Sequence, residues 1–248
     1  MLYCIVNSGI ISISGWCALM SKNKNAFPGL DYRIVTLPIN FKIPLWREFL
    51  LGMNLCDSSR ESLQYMLAHN ISVAIVVGGA AESLDARPGT ADLTLGRRLG
   101  FVRLAIESGA SLIPMFSFGE NDVYVPIIDN PPGSLMRLIQ EKFKSIFGFT
   151  LPMIMGRKSL PLLPRRRSIT TVIGSAIPVT QIIHPTLKDI LSVHQQYVDA
   201  LKNIWDEYKD VLAPDRQGEM TIVDSLTESD FRKFARLDAK QSQHKSKL

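Results

Sequence analysis

The strongest constraint on the fold of this chain is a strand, loop, helix and strand unit in its first half. Residues 72–77 form a β-branched run that ends in Gly78-Gly79, a pattern typical of a buried strand breaking into a tight turn. Residues 111–116 form a second run of this kind. Between them, apolar residues recur at helical spacing up to Gly109, which lies where a helix C-terminal cap belongs.

This crossover unit predicts an α/β fold with a mixed, largely parallel sheet covered by helices. In such sheets, ligands gather beyond the carboxyl ends of the strands. Glu82 and Glu120 each follow a predicted strand end, in a segment that contains glycine. We therefore expect these two carboxyl groups to lie at the same edge of the sheet.

The second strong helical pattern covers residues 186–209. Thr186 and Asp189 form a capping-box pattern, and the following apolar residues recur along one side of the helix. Beyond Pro214 the chain turns polar and charged and offers little to bury. The sequence therefore predicts one domain over residues 1–213 and a polar, mobile tail over residues 214–248.

Glu82 is the first candidate for a functional role. The preceding glycines, Gly78 and Gly79, allow a ligand to approach the backbone closely and offer amide donors to an oxyanion or phosphate. We expect Glu82 to orient an acceptor group or a basic partner, with Ser83 assisting by hydrogen bonding. A structural salt bridge is the alternative role for Glu82.

Two arginines and two turn residues complete the candidate binding set. Arg98 and Arg103 lie little more than one turn apart on the predicted helix and suit phosphate groups, although helix arginines are commonly just solvated. Glu120 and Asn121 follow the second predicted strand. They either line the same cleft as Glu82 or close a turn through their side chains.

Composition narrows the classes of ligand. The net charge of +5 comes with few clusters of aromatic and basic residues, which disfavours nucleic acid and agrees better with a phosphate group or an anionic bilayer. The three cysteines form no close pair and the four histidines are scattered, so we expect a reducing compartment and no metal site. Among the histidines, only His194 lies where a helix could present it inward. Nucleotide binding at Gly78-Gly79 is disfavoured, because a Walker lysine and dinucleotide spacing are absent.

Two apolar segments with basic neighbours, residues 44–51 and 148–164, have the composition of interfacial membrane segments, although core packing explains them equally well. The triplet Arg165–Arg167 follows the second segment and either binds phosphates or forms a solvated turn. The uncharged residues 1–21 are predicted to form a strand, on the alternation around Ile11 and Ile13. No apolar run is long enough to cross a bilayer, so contact from one face is expected.

Several segments, in this order and spacing, together resemble one family. These are the run at residues 29–67, then GGAAES, then GFVRLAIESGASLIPMFSFGEND, and then TTVIGSAIPV and HPTLKDI within residues 170–190. The sequence is similar to the type 2 diacylglycerol acyltransferase and monoacylglycerol acyltransferase family from about Gly9 onward. The resemblance implies a membrane-bound enzyme with a glycerolipid acyltransferase-like fold. Such an enzyme transfers an acyl chain from acyl-CoA to a diacylglycerol or monoacylglycerol hydroxyl in triacylglycerol synthesis, without a metal or redox cofactor.

The chain departs from the family at its catalytic motif. Family members carry His-Pro-His-Gly where this sequence has Val6, Asn7, Ser8 and Gly9, so only the glycine is retained. Histidine suits the general base that takes the proton from the acceptor hydroxyl, and neither Val6 nor Ser8 replaces it. Either the chain is a diverged paralogue, or its N-terminus is misassigned and the domain is N-terminally incomplete. We favour the second explanation, because one lost exon would also remove the family's apolar N-terminal segment.

The resemblance sets the remaining expectations. The implied partners are acyl-CoA, a glycerolipid acceptor and a membrane surface, with no nucleic acid and with a homo-oligomer left open. The family implies a location in the endoplasmic reticulum membrane, and also at lipid droplets. The final tripeptide Ser246-Lys247-Leu248 spells a peroxisomal address, which makes the peroxisome the alternative. Because the base is absent, a catalytically inactive lipid- or acyl-CoA-binding regulatory paralogue is the alternative function.

Overall fold

The computed structural model describes residues 1–6, 31–79, 82, 86–127, 133–147, 154–157, 160 and 163–227. The strands are β1 (Leu2–Val6), β2 (Tyr32–Thr36), β3 (Leu55–Asp57), β4 (Ser72–Val76), β5 (Asp92–Leu93), β6 (Leu112–Phe118), β7 (Val125–Pro126), β8 (Ile154–Met155), β9 (Thr170–Ile173) and β10 (Thr221–Ile222). The helices are α1 (Trp46–Gly52), α2 (Arg60–Ala68), α3 (Gly100–Ser108), α4 (Leu135–Phe147) and α5 (Leu187–Leu212). Two 3₁₀ helices cover Pro38–Lys42 and Glu120–Val123.

The main sheet has six strands in the order β3-β2-β4-β1-β6-β9. The first five are parallel, and β9 pairs with β6 in the antiparallel direction. The sequence therefore predicted the α/β class and the mixed, largely parallel sheet correctly. Strand β1 lies between β4 and β6, with Ile5 in register with Val76 and Val6 in register with Phe116.

The two faces of the sheet are covered differently. On one face, α2, α3 and α5 pack together over a large core that includes Val73, Phe116 and Trp205. On the other face, the described residues form a smaller cluster in which α1 contributes Leu50, packed with Met115 and its neighbours. The crossover from β2 to β3 contains the first 3₁₀ helix and then α1. The 3₁₀ helix therefore starts at the carboxyl end of β2.

Both helices predicted from sequence are confirmed. Helix α3 ends at Gly109, whose φ of 68° is the left-handed cap conformation. At the start of α5, the backbone N–H of Asp189 donates to Thr186 Oγ1 at 3.3 Å, and the backbone N–H of Thr186 donates to Asp189 Oδ2 at 2.8 Å. This reciprocal pair is the predicted capping box.

The packed part of the chain extends beyond the predicted boundary at residue 213. Strand β10 pairs in parallel with β5, and Met220, Ile222 and Leu226 pack against the large core. Residues 220–226 thus contact the core within the stretch that the sequence assigned to the tail, and the division at residue 213 stays a prediction. The sequence analysis assigned these residues to the tail because their short alternation of apolar side chains lies in a stretch that is polar overall. Residues 228–248, including Ser246-Lys247-Leu248, lie outside the described residues.

The predicted N-terminal strand is described only in part. Strand β1 covers Leu2–Val6, whereas the alternation around Ile11 and Ile13 lies outside the described residues, as do Asn7, Ser8 and Gly9.

Candidate functional site

The candidate site lies where β4 and β6 end, on either side of β1. After β4 the chain turns at Gly78 and at Gly79, which has a φ of 59°. After β6 it turns at Gly119, with a φ of 82°, and enters the second 3₁₀ helix at Glu120. Because these strands are parallel, both turns lie at the carboxyl edge of the sheet, as the sequence predicted for strand-end ligand sites.

Glu82 is enclosed in this edge, with only 1% of its surface exposed. Its Oε1 accepts the backbone N–H of Thr94 at 3.2 Å. Its Oε2 is buried and has no hydrogen-bond partner among the residues that the structure describes. A Cβ placed on Gly78 would lie 1.6 Å from Glu82 Oε2, so the carboxyl group fits only because residue 78 lacks a side chain.

The surroundings raise the pKa of Glu82 well above the ordinary value for glutamate. Burial is the largest cause, because it disfavours the charged form. The Thr94 N–H and the Arg98 charge act in the opposite direction, and the nearby carboxylates of Glu120 and Asp224 add to the rise. Perturbation of this kind, in a glycine-lined turn at a strand end, is typical of functional carboxyl groups.

The two predicted arginines have different environments. Arg98 Nη2 donates to the backbone carbonyl of Gly78 at 3.3 Å, which places its charge beside the Glu82 turn. Arg103 is buried on α3, and its Nε donates to Glu107 Oε1 at 2.9 Å. A phosphate-binding role stays a prediction for both residues, and only Arg98 is held at the site by a described contact.

Glu120 and Asn121 are both buried in the turn after β6, with 2% and 5% of their surfaces exposed. Asn121 Nδ2 donates to the backbone carbonyl of Thr90 at 2.7 Å, and Asp122 Oδ1 accepts the N–H of Gly89 at 3.0 Å. These bonds attach the loop before β5 to the end of β6. Ser83, the remaining predicted contact residue, lies outside the described residues.

Asp224 is a site neighbour that the sequence analysis missed. Its Oδ1 accepts the N–H of Gly96 at 2.7 Å, and its Oδ2 accepts the N–H of Arg97 at 2.9 Å. A Cβ on Gly96 would lie 2.1 Å from the backbone oxygen of Asp224, so glycine is required for this approach. Asp224 therefore holds the turn that precedes Arg98. No local pattern identified it, because it lies in the stretch that composition marked as tail.

His194 is buried rather than exposed on the surface. It lies on α5 and its Nε2 is 3.1 Å from the backbone carbonyl of Leu95, in the segment that Asp224 holds. Burial lowers the pKa of His194, with the Leu95 carbonyl and Asp224 acting in the opposite direction. Helix α5 therefore presents His194 inward, as the sequence indicated that a helix could. Across the described ranges, no three His, Cys, Asp or Glu side chains are grouped as metal ligands would be.

An exposed apolar surface surrounds α1, within the predicted interfacial segment at residues 44–51. Leu45 is 85% exposed, Phe49 51% and Trp46 41%, and the rings of Trp46 and Phe49 stack with centroids 5.2 Å apart. Lys42 and Arg47 are exposed beside them. We call Ile43, Leu45, Trp46, Phe49 and Leu51 the α1 surface. Within the described residues, no helix has the length and apolar character needed to span a membrane.

Comparison with known proteins identifies the family. The family model described as diacylglycerol acyltransferase matches residues 2–221. Diacylglycerol O-acyltransferase 2A of Umbelopsis ramanniana is 42% identical over 228 residues, covering 87% of this chain and 64% of that protein. Diacylglycerol O-acyltransferase 2 of Dictyostelium discoideum is 43% identical over 223 residues, covering 86% of this chain and 67% of that protein.

A relative with a different printed activity matches to a similar degree. The 2-acylglycerol O-acyltransferase 1 of Bos taurus is 40% identical over 206 residues, covering 80% of this chain and 61% of that protein. The chain thus spans roughly two thirds of the length of these curated relatives. No solved structure matches it. The extent of the family match and the identity to these relatives show that this chain belongs to the diacylglycerol acyltransferase family.

Proposed function

We propose that this chain is an acyl-CoA-dependent glycerolipid O-acyltransferase, with diacylglycerol or monoacylglycerol as the acceptor in triacylglycerol synthesis. The family match supports the reaction class. The observation that carries the proposal is the buried Glu82, which has one carboxylate oxygen held by Thr94 and the other without a partner among the described residues. We further propose that its sheet is the fold that glycerolipid acyltransferases of this family share.

The chemistry assigned to Glu82 is proton transfer. Its Oε2 accepts the proton of the acceptor hydroxyl, whose oxygen bonds to the thioester carbonyl carbon. The carbon–sulfur bond then breaks, and the CoA sulfur accepts from Glu82 the proton that the hydroxyl gave up. A carboxylate with a raised pKa is a stronger base than an ordinary one, which suits this task. Exchange of a thioester for an ester transfers no electrons, so the proposal includes no redox cofactor and no metal.

The position of β1 supports the same site. Val6 ends β1 between β4 and β6. The sequence resemblance described above sets Val6 at the position of the first histidine of His-Pro-His-Gly. The family's base therefore belongs at the carboxyl edge that holds the turns of Glu82 and Glu120. Among the described residues at that edge, we assign to Glu82 the role of accepting the hydroxyl proton.

The α1 surface supports contact with a bilayer. Its exposed aromatic and aliphatic side chains lie beside Lys42 and Arg47, a combination that suits an anionic membrane interface. The crossover that carries it begins at the carboxyl end of β2, on the same edge as Glu82. We propose the endoplasmic reticulum membrane or lipid droplets as the location, with the peroxisome as the alternative.

A second function is favoured by one specific observation, the presence of Val6 and Ser8 at the positions where the resemblance implies histidines. Under this alternative, the chain binds acyl-CoA or lipid without turnover and acts as a regulatory paralogue. The two functions predict the same binding and differ only in product formation.

The test measures acyl transfer from labelled oleoyl-CoA to dioleoylglycerol in membranes of cells that make no triacylglycerol themselves. Three samples are compared: the chain as given, a variant with Val6→His, Asn7→Pro and Ser8→His, and empty vector. We expect product above vector from the chain as given, and at least about tenfold more from the variant. Product from the variant alone would favour the regulatory paralogue. Product from neither would contradict the proposed function.

A further inference from the structure

A cavity of about 310 Å³ opens beside the candidate site, between the end of β6 and the C-terminal end of α5. Its size falls at the lower end of small-ligand sites. One wall is aromatic: Phe118 and Trp205 are stacked at 5.6 Å with their planes 11° apart. Asn121 also lines it, in the same turn as Glu120, whose charge acts on Glu82.

Asn121 presents an acceptor that the described protein leaves unused. Its Oδ1 is buried without a hydrogen-bond partner among those residues. The orientation of the amide is fixed, because flipping it would turn the oxygen toward the Thr90 carbonyl that Nδ2 now contacts at 2.7 Å. An unsatisfied buried acceptor is costly, so an occupant with an N–H or O–H donor suits this wall.

Charged side chains of both signs line the cavity, Arg167 and Arg216 together with Asp122 and Asp215. Arg167 lines the cavity and belongs to the exposed triplet Arg165–Arg167, whose side chains have no carboxylate partner in the part of the chain described. Arg216 also lines the cavity, and its Nη1 lies 3.3 Å from the carbonyl of Lys209 and 3.4 Å from that of Ala213. Because Arg216 also forms ion pairs with Asp210 at 2.8 Å and Glu219 at 3.3 Å, the positive charge open to a ligand is that of the triplet Arg165–Arg167.

An aromatic wall, a buried acceptor and the exposed arginines of the triplet are complementary to an adenine ring with phosphates. We propose that this cavity binds the 3′-phosphorylated ADP head of acyl-CoA. The exocyclic amine of adenine donates to Asn121 Oδ1, the ring lies along the wall of Phe118 and Trp205, and the triplet Arg165–Arg167 binds the phosphates. The assignment of CoA as the source rests on the proposed function, because a free adenine nucleotide has the same chemistry.

The test uses the full chain and adenosine 3′,5′-bisphosphate as the probe, with binding measured by calorimetry. Arg167→Ala is expected to weaken binding at least about fivefold, and replacement of all three arginines by alanine more than that. Arg60→Ala, which removes a half-exposed arginine on α2, is the matched control and is expected to leave the affinity unchanged. Because these arginines are exposed, their replacement does not require the core to repack. The test can therefore be read even if a variant at a buried position fails to fold.

A second measurement isolates Asn121. The inosine analogue of the probe has a carbonyl in place of the exocyclic amine, and we expect it to bind wild type about tenfold more weakly than the adenosine probe. Asn121→Ala should remove that difference between the two ligands. In a Trp16→Phe, Trp46→Phe background, the adenosine probe should also change the emission of Trp205.

The outcomes separate the subsite from the function. If oleoyl-CoA binds but neither Arg167→Ala nor Asn121→Ala changes its affinity or that of the probe, the proposed subsite is wrong and the proposed function stands. If ATP binds as tightly as the probe, the assignment to CoA is wrong. If neither oleoyl-CoA nor the probe binds wild type, both proposals fail.

Discussion

Two helices of this chain carry a tryptophan on an apolar side, and the fold treats them in opposite ways. Helix α5 buries Trp205 to 5% exposure, along with other large side chains that pack on α3 and β6. Helix α1 buries only Leu50 and leaves Trp46 and Phe49 about half exposed. The apolar side of α5 is explained by the core. The α1 surface is not, which is why we assign it a partner outside the chain.

The largest expected effect is on stability, and it tests whether the two tryptophans differ as their burial indicates. Trp205→Ala should lower the free energy of unfolding by about 3–5 kcal/mol, because it empties the space against Phe116 and Phe118. Trp46→Ala should cost less than about 1 kcal/mol. Urea denaturation of both variants measures the difference. Equal losses would mean that α1 is part of the core.

The next effect should appear only in the presence of lipid. Replacing Trp46 and Phe49 with serine should weaken binding to vesicles of phosphatidylcholine and phosphatidylserine by about tenfold or more, because their rings no longer enter the interface. Co-sedimentation measures it. A Tyr65→Ser, Val211→Ser double variant removes two exposed apolar residues elsewhere and is the control. Unchanged vesicle binding by the α1 variant would contradict membrane contact at this surface.

A smaller effect concerns how each helix begins. Helix α5 has the Thr186 capping box, whereas Leu45 before α1 makes no side-chain cap bond and has a φ of 66°. Thr186→Ala should cost about 1 kcal/mol of unfolding free energy. Thr186→Ser keeps the hydroxyl and should retain nearly all of the stability. If alanine and serine are equivalent at this position, the cap does not stabilise α5.

The smallest effect is a pH dependence confined to the end of α5. Hydrogen bonds from Lys209, Trp205 and Arg216 lower the pKa of Glu219 to about 2, well below the ordinary value for glutamate. A lowered carboxyl pKa adds stability above the unfolded value, and that stability is lost as the pH falls from about 4.5 toward 2. Glu219→Gln should flatten thermal stability over this window. Glu48→Gln on α1 is the control, and an equal change there would contradict the assignment.

Sequence reasoning reached the parts of the fold that local patterns encode. The strand, loop, helix and strand unit, the Gly109 cap and the Thr186 capping box follow from residues close together in the chain. The same reasoning placed Glu82 and Glu120 at one sheet edge. It could not decide between core and interface for the α1 segment, because exposure depends on what the rest of the chain covers.

The surroundings of the candidate site were predicted less completely, for a related reason. Asp224 reaches Gly96 and Arg97 across more than 120 residues of chain, and no local pattern encodes that contact. The ion pair of Arg103 with Glu107 is an i, i+4 spacing that was visible in the sequence, and it could have separated Arg103 from Arg98.

The central claim is that Glu82 performs acyl transfer, and the most direct test is the rate of product formation by Glu82→Gln. Glutamine keeps an oxygen for the Thr94 N–H and removes the buried charge, so this variant should fold with unchanged or higher stability. Glu61→Gln, on the exposed surface of α2, is the matched control. Our account predicts a loss of at least about a hundredfold for Glu82→Gln. It also predicts a wild-type rate that rises with pH through a midpoint above the ordinary glutamate range. A Glu82→Gln rate equal to that of Glu61→Gln would contradict it.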